Sequence, residues 1–305
     1  MPSWNEILAE VKAEGSVHDV VRRKYLKLLN EHTKRNVIIY YSGWLQKGEL
    51  QRQGYTGFSL DDGDKNGFMT TIHNLDRSKG LDLILHTPGG GMAATESLVD
   101  YLRSMFDIDI RAIIPQLAMS AGTMVALSCK QIVMGDHSSL GPIDPQIGGR
   151  PAHGIIEEFA RARTEIAGDR SAAYIWQPII AQYSPTLIGE CQKAIIWSTT
   201  KVREWLKTGM FKDDGDRDAK ANKIVDELGS HSLTLSHERH ISKQDALGLD
   251  LKVSALEDDP TLQDLVLSVH HASILTLTNT EAIKIIENHD GVAFIHVAPT
   301  RILAR

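Results

Sequence analysis

Two short motifs, about thirty residues apart, combine small residues with groups that could take part in acyl transfer. The first, HTPGGG from His86 to Gly91, ends an apolar segment with three consecutive glycines. Glycine permits positive φ and leaves its N–H accessible, so such a turn before a helix directs N–H groups at an anion or a developing oxyanion. The motif follows neither GxGxxG nor a P-loop pattern, which makes a nucleotide-phosphate site the weaker interpretation. By itself it is also compatible with a purely structural turn.

The second motif, Pro115 to Thr123, places Ser120 beside Ala121 and Gly122 where a helix is expected to begin. Small neighbours leave room for a substrate carbonyl next to the serine hydroxyl, and the Ala121 N–H could help to bind the oxyanion. A helix cap is the alternative role for this serine. Taken together, the two motifs predict a nucleophile, Ser120, beside an oxyanion hole formed by Gly90 or Gly91 and Ala121.

The elements around these motifs alternate regularly between strand and helix patterns. Apolar runs typical of strands occupy residues 81–87, 108–115 and 130–136, and helical patterns occupy residues 92–106 and 120–129. Such alternation implies βαβ crossovers and a mostly parallel sheet, so the fold class is α/β. Functional loops are then expected at the carboxyl ends of the strands, where both motifs fall.

The chain is predicted to have three parts. Residues 1–34 form two amphipathic helices interrupted at Gly15-Ser16, and residues 35–255 form the central domain. Within that domain, residues 155–210 are an outer helical segment with breaks near Gly168 and Ser184-Pro185. Residues 256–305 are a C-terminal extension containing a helix, a second short helix (Thr280–His289) and a final strand, GVAFIHVA.

Composition excludes several classes of protein. A net charge of −6 and a pI of about 6.1 provide no basic field for nucleic acid. No secretory leader or membrane-spanning run is expected, and the two cysteines, Cys129 and Cys191, lie in apolar helical stretches. This usage indicates a reducing compartment and a cytoplasmic protein.

No metal site or cofactor is predicted. Asp62, Asp64, Asn66 and Gly67 copy the first half of an EF-hand loop, but His73 stands where the bidentate glutamate should be. We therefore expect a solvated turn before a helix. Four further histidines are expected to be packing or surface residues, because none has ligands at zinc spacing: His137, His153, His270 and His271.

The segments LILHTPGGGMAATESLVDYL and AMSAGTMVALSCKQIVMGDHSSLGPIDPQIGG resemble the core of the Clp-protease and signal-peptide-peptidase superfamily. The resemblance is to the serine dehydrogenase proteinase family in particular, and it covers roughly residues 35–290. It implies a ClpP/crotonase-like fold, a serine endopeptidase activity through Ser120, and no cofactor. The family's name refers to a protein substrate, so no redox chemistry is implied.

The resemblance also implies the remaining catalytic residues. In Clp proteases a histidine follows the serine at a position that here falls in Gly141–Gln146, which contains no histidine. The serine dehydrogenase proteinases have the order Ser, Asp, His, so Asp144 would orient the base and His237 would be the base. His240 is the alternative base. Triads recur in different chain orders, so this permutation raises no physical objection.

Three other functions remain open. A Ser-Lys dyad could use Lys193 or Lys201 as the base if burial lowered the lysine pKa. The fold could instead serve as an inactive oligomeric scaffold, with the apolar helices of Ile175–Trp205 and their tryptophans in subunit contacts. A crotonase-like acyl-CoA enzyme is a weaker alternative. The resemblance implies a homo-oligomer that acts on a peptide or protein, whereas no ATPase or adaptor partner is identifiable.

Overall fold

The computed structural model describes residues 4–13, 18–229 and 236–298. The chain divides into two compact units, which we call the sheet unit (residues 1–140 and 240–305) and the helical unit (residues 141–239). The predicted helix break at Gly15-Ser16 and the last residues of the predicted extension, 299–305, lie outside the described residues.

The helices and strands are numbered in chain order. The strands are β1 (Asn36–Ser42), β2 (Leu81–His86), β3 (Ile110–Ile114), β4 (Leu117–Ala118), β5 (Gln131–Met134), β6 (Ser139–Leu140), β7 (Gln146–Ile147), β8 (Arg150–Pro151), β9 (Ile241–Ser242), β10 (Val253–Ala255), β11 (Ala282–Asn288) and β12 (Ala293–Val297). The helices are α1 (Trp4–Ala13), α2 (His18–Thr33), α3 (Gly48–Arg52), α4 (Asp64–Ile72), α5 (Met92–Phe106), α6 (Ala121–Ser128), α7 (Ala152–Gly168), α8 (Ala173–Ile180), α9 (Leu187–Thr208), α10 (Arg217–Gly229), α11 (Lys243–Gly248) and α12 (Pro260–Asn279).

The main sheet has the strand order β10-β5-β3-β2-β1-β11-β12 in the described part of the chain. Neighbours from β10 to β1 run parallel, whereas β11 is antiparallel to both β1 and β12. Every residue of β1 and β2 is buried, as expected for strands covered on both faces. The prediction of an α/β fold with a mostly parallel sheet is confirmed, and so is the succession β2, α5, β3, α6, β5.

The prediction of a second short helix at Thr280–His289 is wrong. Residues Ala282–Asn288 form strand β11, whose residues are all buried and which pairs with β1 in the sheet. Short apolar runs do not reveal by periodicity whether they are helical, and the β-branched isoleucines of this run suit a strand. Because β11 completes the sheet begun by β1, residues of the predicted extension and of the predicted central domain share one core. The predicted domain boundaries themselves stay a prediction.

Alternate residues of β1 face opposite sides of the sheet. Val37, Ile39 and Tyr41 pack into a large apolar cluster with residues of α2, α12 and β11. The residues between them face the other side, where the Tyr40 hydroxyl donates to Asp64 at the start of α4. On that side of the sheet, β1 and β11 carry polar side chains that contact the residues before and at the start of α4, namely Tyr40, Ser42 and Lys284.

The helical unit contains α7 to α10 and the short β7-β8 pair. Its apolar cluster joins α7 to α9 through Ala152, Ile155, Leu187 and Cys191. The end of α7 at Gly168 and the start of α9 at Leu187 agree with the predicted breaks. Across residues 4–13, 18–229 and 236–298, no helix combines the length and apolarity that crossing a bilayer would require.

Candidate active site

The glycine turn leaves strand β2 and enters helix α5, and its backbone is anchored on both sides of Gly90. The Gly89 N–H donates to the Thr87 hydroxyl at 3.1 Å. The backbone of Leu60 clamps the turn, because its N–H donates to the Gly89 carbonyl at 2.7 Å and its carbonyl accepts from the Gly91 N–H at 3.0 Å. Gly90 is exposed, and its N–H has no hydrogen-bond partner among the described residues. Of the two glycines predicted from the sequence, Gly90 therefore has the N–H available to an oxyanion.

Close packing explains why this turn is built from glycine. A β-carbon on Gly90 would lie 2.1 Å from the Leu60 carbonyl oxygen, which is far inside van der Waals contact. Gly89 has φ +102°, and a β-carbon there would lie 2.7 Å from Cβ of Ser120. Gly91 differs, since its β-carbon would meet only the Leu60 oxygen at 4.0 Å. Leu60 and Ser120 are thus the residues that approach this glycine motif most closely.

Ser120 lies at the junction of strand β4 and helix α6 with φ 49° and ψ −115°. Positive φ is uncommon outside glycine and stores strain of about 1–3 kcal/mol, and a strained strand-to-helix turn is how hydrolase folds present a nucleophilic serine. The side chain is partly exposed and makes no capping hydrogen bond within the described chain, which argues against the capping role. Ala121 begins α6, so its N–H has no partner inside the helix.

Two backbone hydrogen bonds join the serine turn to the glycine turn. The Thr87 N–H donates to the Leu117 carbonyl at 3.0 Å, and the Met119 N–H donates to the Thr87 carbonyl at 3.0 Å. The sequence offered no signal for this role of Thr87, or for that of Leu60, because both act through their main chain. Two main-chain hydrogen bonds therefore hold the turn that carries Ser120 and Ala121 against the turn that carries Gly90, within the sheet unit.

The helical unit contains a buried aspartate paired with a histidine. Asp144 Oδ1 lies 2.7 Å from Nδ1 of His237, and Asp144 Oδ2 accepts from the Gln146 amide at 3.1 Å. The Asp144 side chain is fully buried, whereas the His237 side chain is 24% exposed. An ionised carboxylate only accepts, so it keeps a proton on Nδ1 of the imidazole and leaves Nε2 as the acceptor. This is the arrangement of a general base oriented by a carboxylate.

The alternative bases lack these features. His240 is exposed, and Lys193 is exposed on helix α9. Lys201 is partly exposed, with its Nζ 3.5 Å from Glu204 Oε2. A lysine base depends on burial to lower its pKa, so neither lysine has the environment that the dyad mechanism requires.

The predicted solvated turn before α4 is wrong for Asp64, although the helix begins there as expected. Asp64 is fully buried and accepts from Tyr40, from the main-chain N–H of Asp61 and from Lys284. In the described part of the chain, no group of three or more histidine, cysteine, aspartate or glutamate residues is arranged to hold a metal ion.

His86, the first residue of the glycine motif, is a buried titratable group that the sequence did not single out. Its ring packs against Trp44 and Tyr41, and neither ring nitrogen has a hydrogen-bond partner among the described residues. Burial lowers the pKa of His86 from 6.5 to about 3, so the ring is neutral near pH 7. His270 is also buried, as predicted, with its Nδ1 3.1 Å from the Tyr41 hydroxyl.

Residues 8–267 match the family of ClpP-like SDH-type serine proteinases. The chain belongs to this family. The match spans the glycine turn, Ser120, Asp144 and His237, and it ends before strands β11 and β12.

Two relatives from Methanocaldococcus jannaschii are similar to this chain. The uncharacterized protein MJ0137 is 27% identical over 250 residues, which cover 81% of this chain and 78% of the relative. The uncharacterized protein MJ1495 is 29% identical over 191 residues, which cover 63% of this chain and 58% of the relative.

Proposed function

We propose that this protein is a serine endopeptidase in which Ser120 is the nucleophile, His237 the general base and Asp144 the residue that orients the base. The observation that carries the proposal is the strained backbone of Ser120 directly against a glycine turn with an available N–H at Gly90. An inactive scaffold would have no use for that strain. The family relationship and the Asp144–His237 pair support the same assignment.

In the proposed mechanism the Ser120 hydroxyl transfers its proton to Nε2 of His237 as the serine oxygen bonds to the peptide carbonyl carbon. The carbonyl electron pair moves onto the oxygen, which accepts from the N–H groups of Gly90 and Ala121. His237 then protonates the leaving amine as the peptide bond breaks. Water, deprotonated by His237, then attacks the acyl-enzyme, and the ester bond breaks as His237 returns the proton to the Ser120 oxygen, which releases the carboxylic acid product.

The test is covalent labelling with a fluorophosphonate probe, together with cleavage of an unstructured protein substrate. The native protein should be labelled and active, whereas Ser120→Ala should lose both properties and melt near the native temperature. Ser104→Ala is the matched control, because Ser104 lies exposed on helix α5, and it should behave as the native protein. Labelling that persists in Ser120→Ala would overturn the proposal.

The base is assigned by a second pair of variants. His237→Gln should lose activity because it removes the proton acceptor paired with Asp144, whereas His240→Gln should retain it. Activity that survives in His237→Gln and disappears in Lys193→Met or Lys201→Met would replace the triad by a Ser-Lys dyad.

We further propose that the protein is a cytoplasmic homo-oligomer. Large apolar side chains are exposed on helices α8 and α9, with Tyr174 84%, Ile175 68% and Ile196 64% exposed. Exposed apolar patches of this kind are typical of interfaces. Both cysteines are unpaired and buried, which suits a reducing compartment. Sedimentation analysis of native protein and of Ile175→Glu tests the assembly, and a native monomer would contradict it.

A further inference from the structure

Strand β11 carries a lysine whose charged end is completely buried. The Lys284 side chain is 0% exposed, and its Nζ lies 2.9 Å from both carboxylate oxygens of Asp64 and 3.0 Å from Oδ2 of Asp61. It also donates to the Ser59 carbonyl at 2.8 Å. Burying an ammonium group is costly even when it is paired, so its retention inside the sheet unit calls for a reason beyond stability.

Two partners of Lys284, Ser59 and Asp61, lie in one short segment without regular structure, Phe58–Asp61, and Asp64 begins helix α4 just beyond it. Ser42 of β1 stands opposite Lys284 of β11, so both side chains leave the same face of the sheet. The Ser42 hydroxyl donates to the Phe58 carbonyl at 2.8 Å, next to the Ser59 carbonyl that Lys284 holds. The Asp61 N–H donates to Asp64 at 3.0 Å. Three of the four residues of the segment are therefore anchored to β1, β11 and α4, and the fourth is Leu60.

This anchored segment in turn holds the glycine turn. Leu60, between Ser59 and Asp61, makes the two backbone hydrogen bonds to Gly89 and Gly91 that flank Gly90. Leu60 also packs so closely on Gly90 that its position decides where the Gly90 peptide can lie. A chain of direct contacts and peptide bonds thus leads from Lys284 through Ser59 and Leu60 to the glycine turn that carries the Gly90 N–H.

We propose that Lys284 is a positioning residue that holds the oxyanion hole in its active geometry through the segment Phe58–Asp61. This inference rests on the proposed peptidase function, in which the Gly90 N–H stabilises the oxyanion. Lys284 lies beyond residue 267, where the family match ends. Strand β11 therefore contributes to the reaction although it supplies no group that touches the substrate.

The experiment compares two paired variants, each of which removes a buried ion pair that includes a residue of β11. Lys284→Met with Asp64→Asn removes the anchor without leaving a lone buried charge. Arg22→Met with Glu287→Gln is the matched control, because Arg22 and Glu287 are equally buried and their ion pair does not contact Phe58–Asp61. Ser42→Ala, which removes only the donor to Phe58, is the milder variant if the first pair does not fold.

The readouts are kcat and KM for peptide cleavage, the rate of fluorophosphonate labelling, and hydrogen exchange of the Leu60 and Gly91 amides. All are measured well below the melting temperature of each variant. We expect the Lys284 pair to lower kcat and the labelling rate about 100-fold with KM nearly unchanged, because a small displacement of the oxyanion donor acts on the transition state. Amide exchange at Leu60 and Gly91 should become faster. Ser42→Ala should change kcat, the labelling rate and amide exchange in the same directions, with effects about tenfold smaller.

Equal loss of kcat in both pairs, or unchanged amide exchange in the Lys284 pair, would overturn the inference and leave Lys284 a structural residue. Failure of the proposed function has a different signature, because native protein and Ser120→Ala would then be equally unlabelled. In that case the amide exchange data alone decide. Faster exchange at Leu60 and Gly91 in the Lys284 pair, but not in the Arg22 pair, supports the claim that Lys284 holds the glycine turn. Unchanged exchange in the Lys284 pair refutes that claim.

Discussion

Gly89 and Ser120 touch where the two site motifs meet: a β-carbon on Gly89 would come within 2.7 Å of Cβ of Ser120. Both residues have positive φ, +102° at Gly89 and 49° at Ser120. Glycine adopts positive φ without strain, whereas at Ser120 this conformation persists only where the surroundings enforce it, and here the main-chain bonds of Thr87 do so. The contact sets how far the serine hydroxyl lies from the glycine N–H groups.

Gly89→Ala should therefore damage both stability and activity. The new methyl group would also lie 2.8 Å from the Met119 carbonyl and 2.9 Å from the Ala121 nitrogen, so the backbone must move. We expect a loss of about 1–3 kcal/mol in the free energy of unfolding. The labelling rate should fall at least about 100-fold because Ser120 and Ala121 are displaced. Denaturant unfolding and probe labelling measure the two effects.

The matched control is Gly91→Ala. Gly91 has φ −70°, and its β-carbon would meet only the Leu60 oxygen at 4.0 Å. This variant should fold and label as the native protein does. If Gly89→Ala and Gly91→Ala behave alike, the closeness of Ser120 is not the reason that position 89 requires glycine.

Asp144→Asn should separate activity from folding. Asparagine keeps the size of the side chain but can donate to Nδ1 of His237, which stabilises the wrong imidazole tautomer. The kcat should fall about 10³- to 10⁴-fold, and the melting temperature should change little. Asp169→Asn, an exposed helix cap in the same unit, is the control and should keep full activity. An Asp144→Asn enzyme with native kcat would remove Asp144 from the mechanism.

His86→Phe should make the protein less sensitive to acid. Because the pKa of the buried imidazole is lowered to about 3, the folded chain binds no proton at His86 between about pH 6.5 and 3, whereas the unfolded chain does. His86 therefore costs stability as the pH falls below 6.5, by about 1.4 kcal/mol per pH unit. Phenylalanine keeps the ring packing, and His86 has no bonded nitrogen to lose among the described residues.

Urea unfolding at a series of pH values measures this effect. The stability curve of His86→Phe should be flatter than the native curve between pH 6.5 and 4, while His270, whose pKa burial also lowers, retains part of the acid sensitivity. His73→Phe changes an exposed histidine at the end of α4 and should leave the native curve in place. If the stability of His86→Phe falls with pH as steeply as that of the native protein, the His86 imidazole is hydrated or protonated in the native folded chain.

The two cysteines should be inert in the folded protein. Burial raises the pKa of the Cys129 thiol to about 12 and also raises that of Cys191, so neither forms a thiolate near pH 8. Iodoacetamide should modify neither cysteine until denaturant is added, and treated protein should still react with the fluorophosphonate. Loss of probe labelling after alkylation of the native protein would point to a reactive thiol near the site.

Local pattern was sufficient for most of the sheet unit and for the positions of the two site motifs. It failed at β11, where a short helix was predicted over Thr280–His289 and the structure has a strand. The structure buries the charges of Lys284 and Glu287 with partners far away in the chain, Asp64 and Arg22. A buried charge of this kind is recognisable only when its partner is known.

The sequence by itself determined the alternation of strands and helices, the turn at Gly89–Gly91 and the serine at the start of α6, because periodicity and residue size are local properties. Tertiary structure decided which glycine N–H remains available, since that depends on the backbone of Leu60. It also decided that His237 pairs with Asp144, 93 residues away, and that Lys284 anchors the segment behind the turn. The physical reason is that hydrogen bonds between distant segments are satisfied in space, and no local pattern of residues records them.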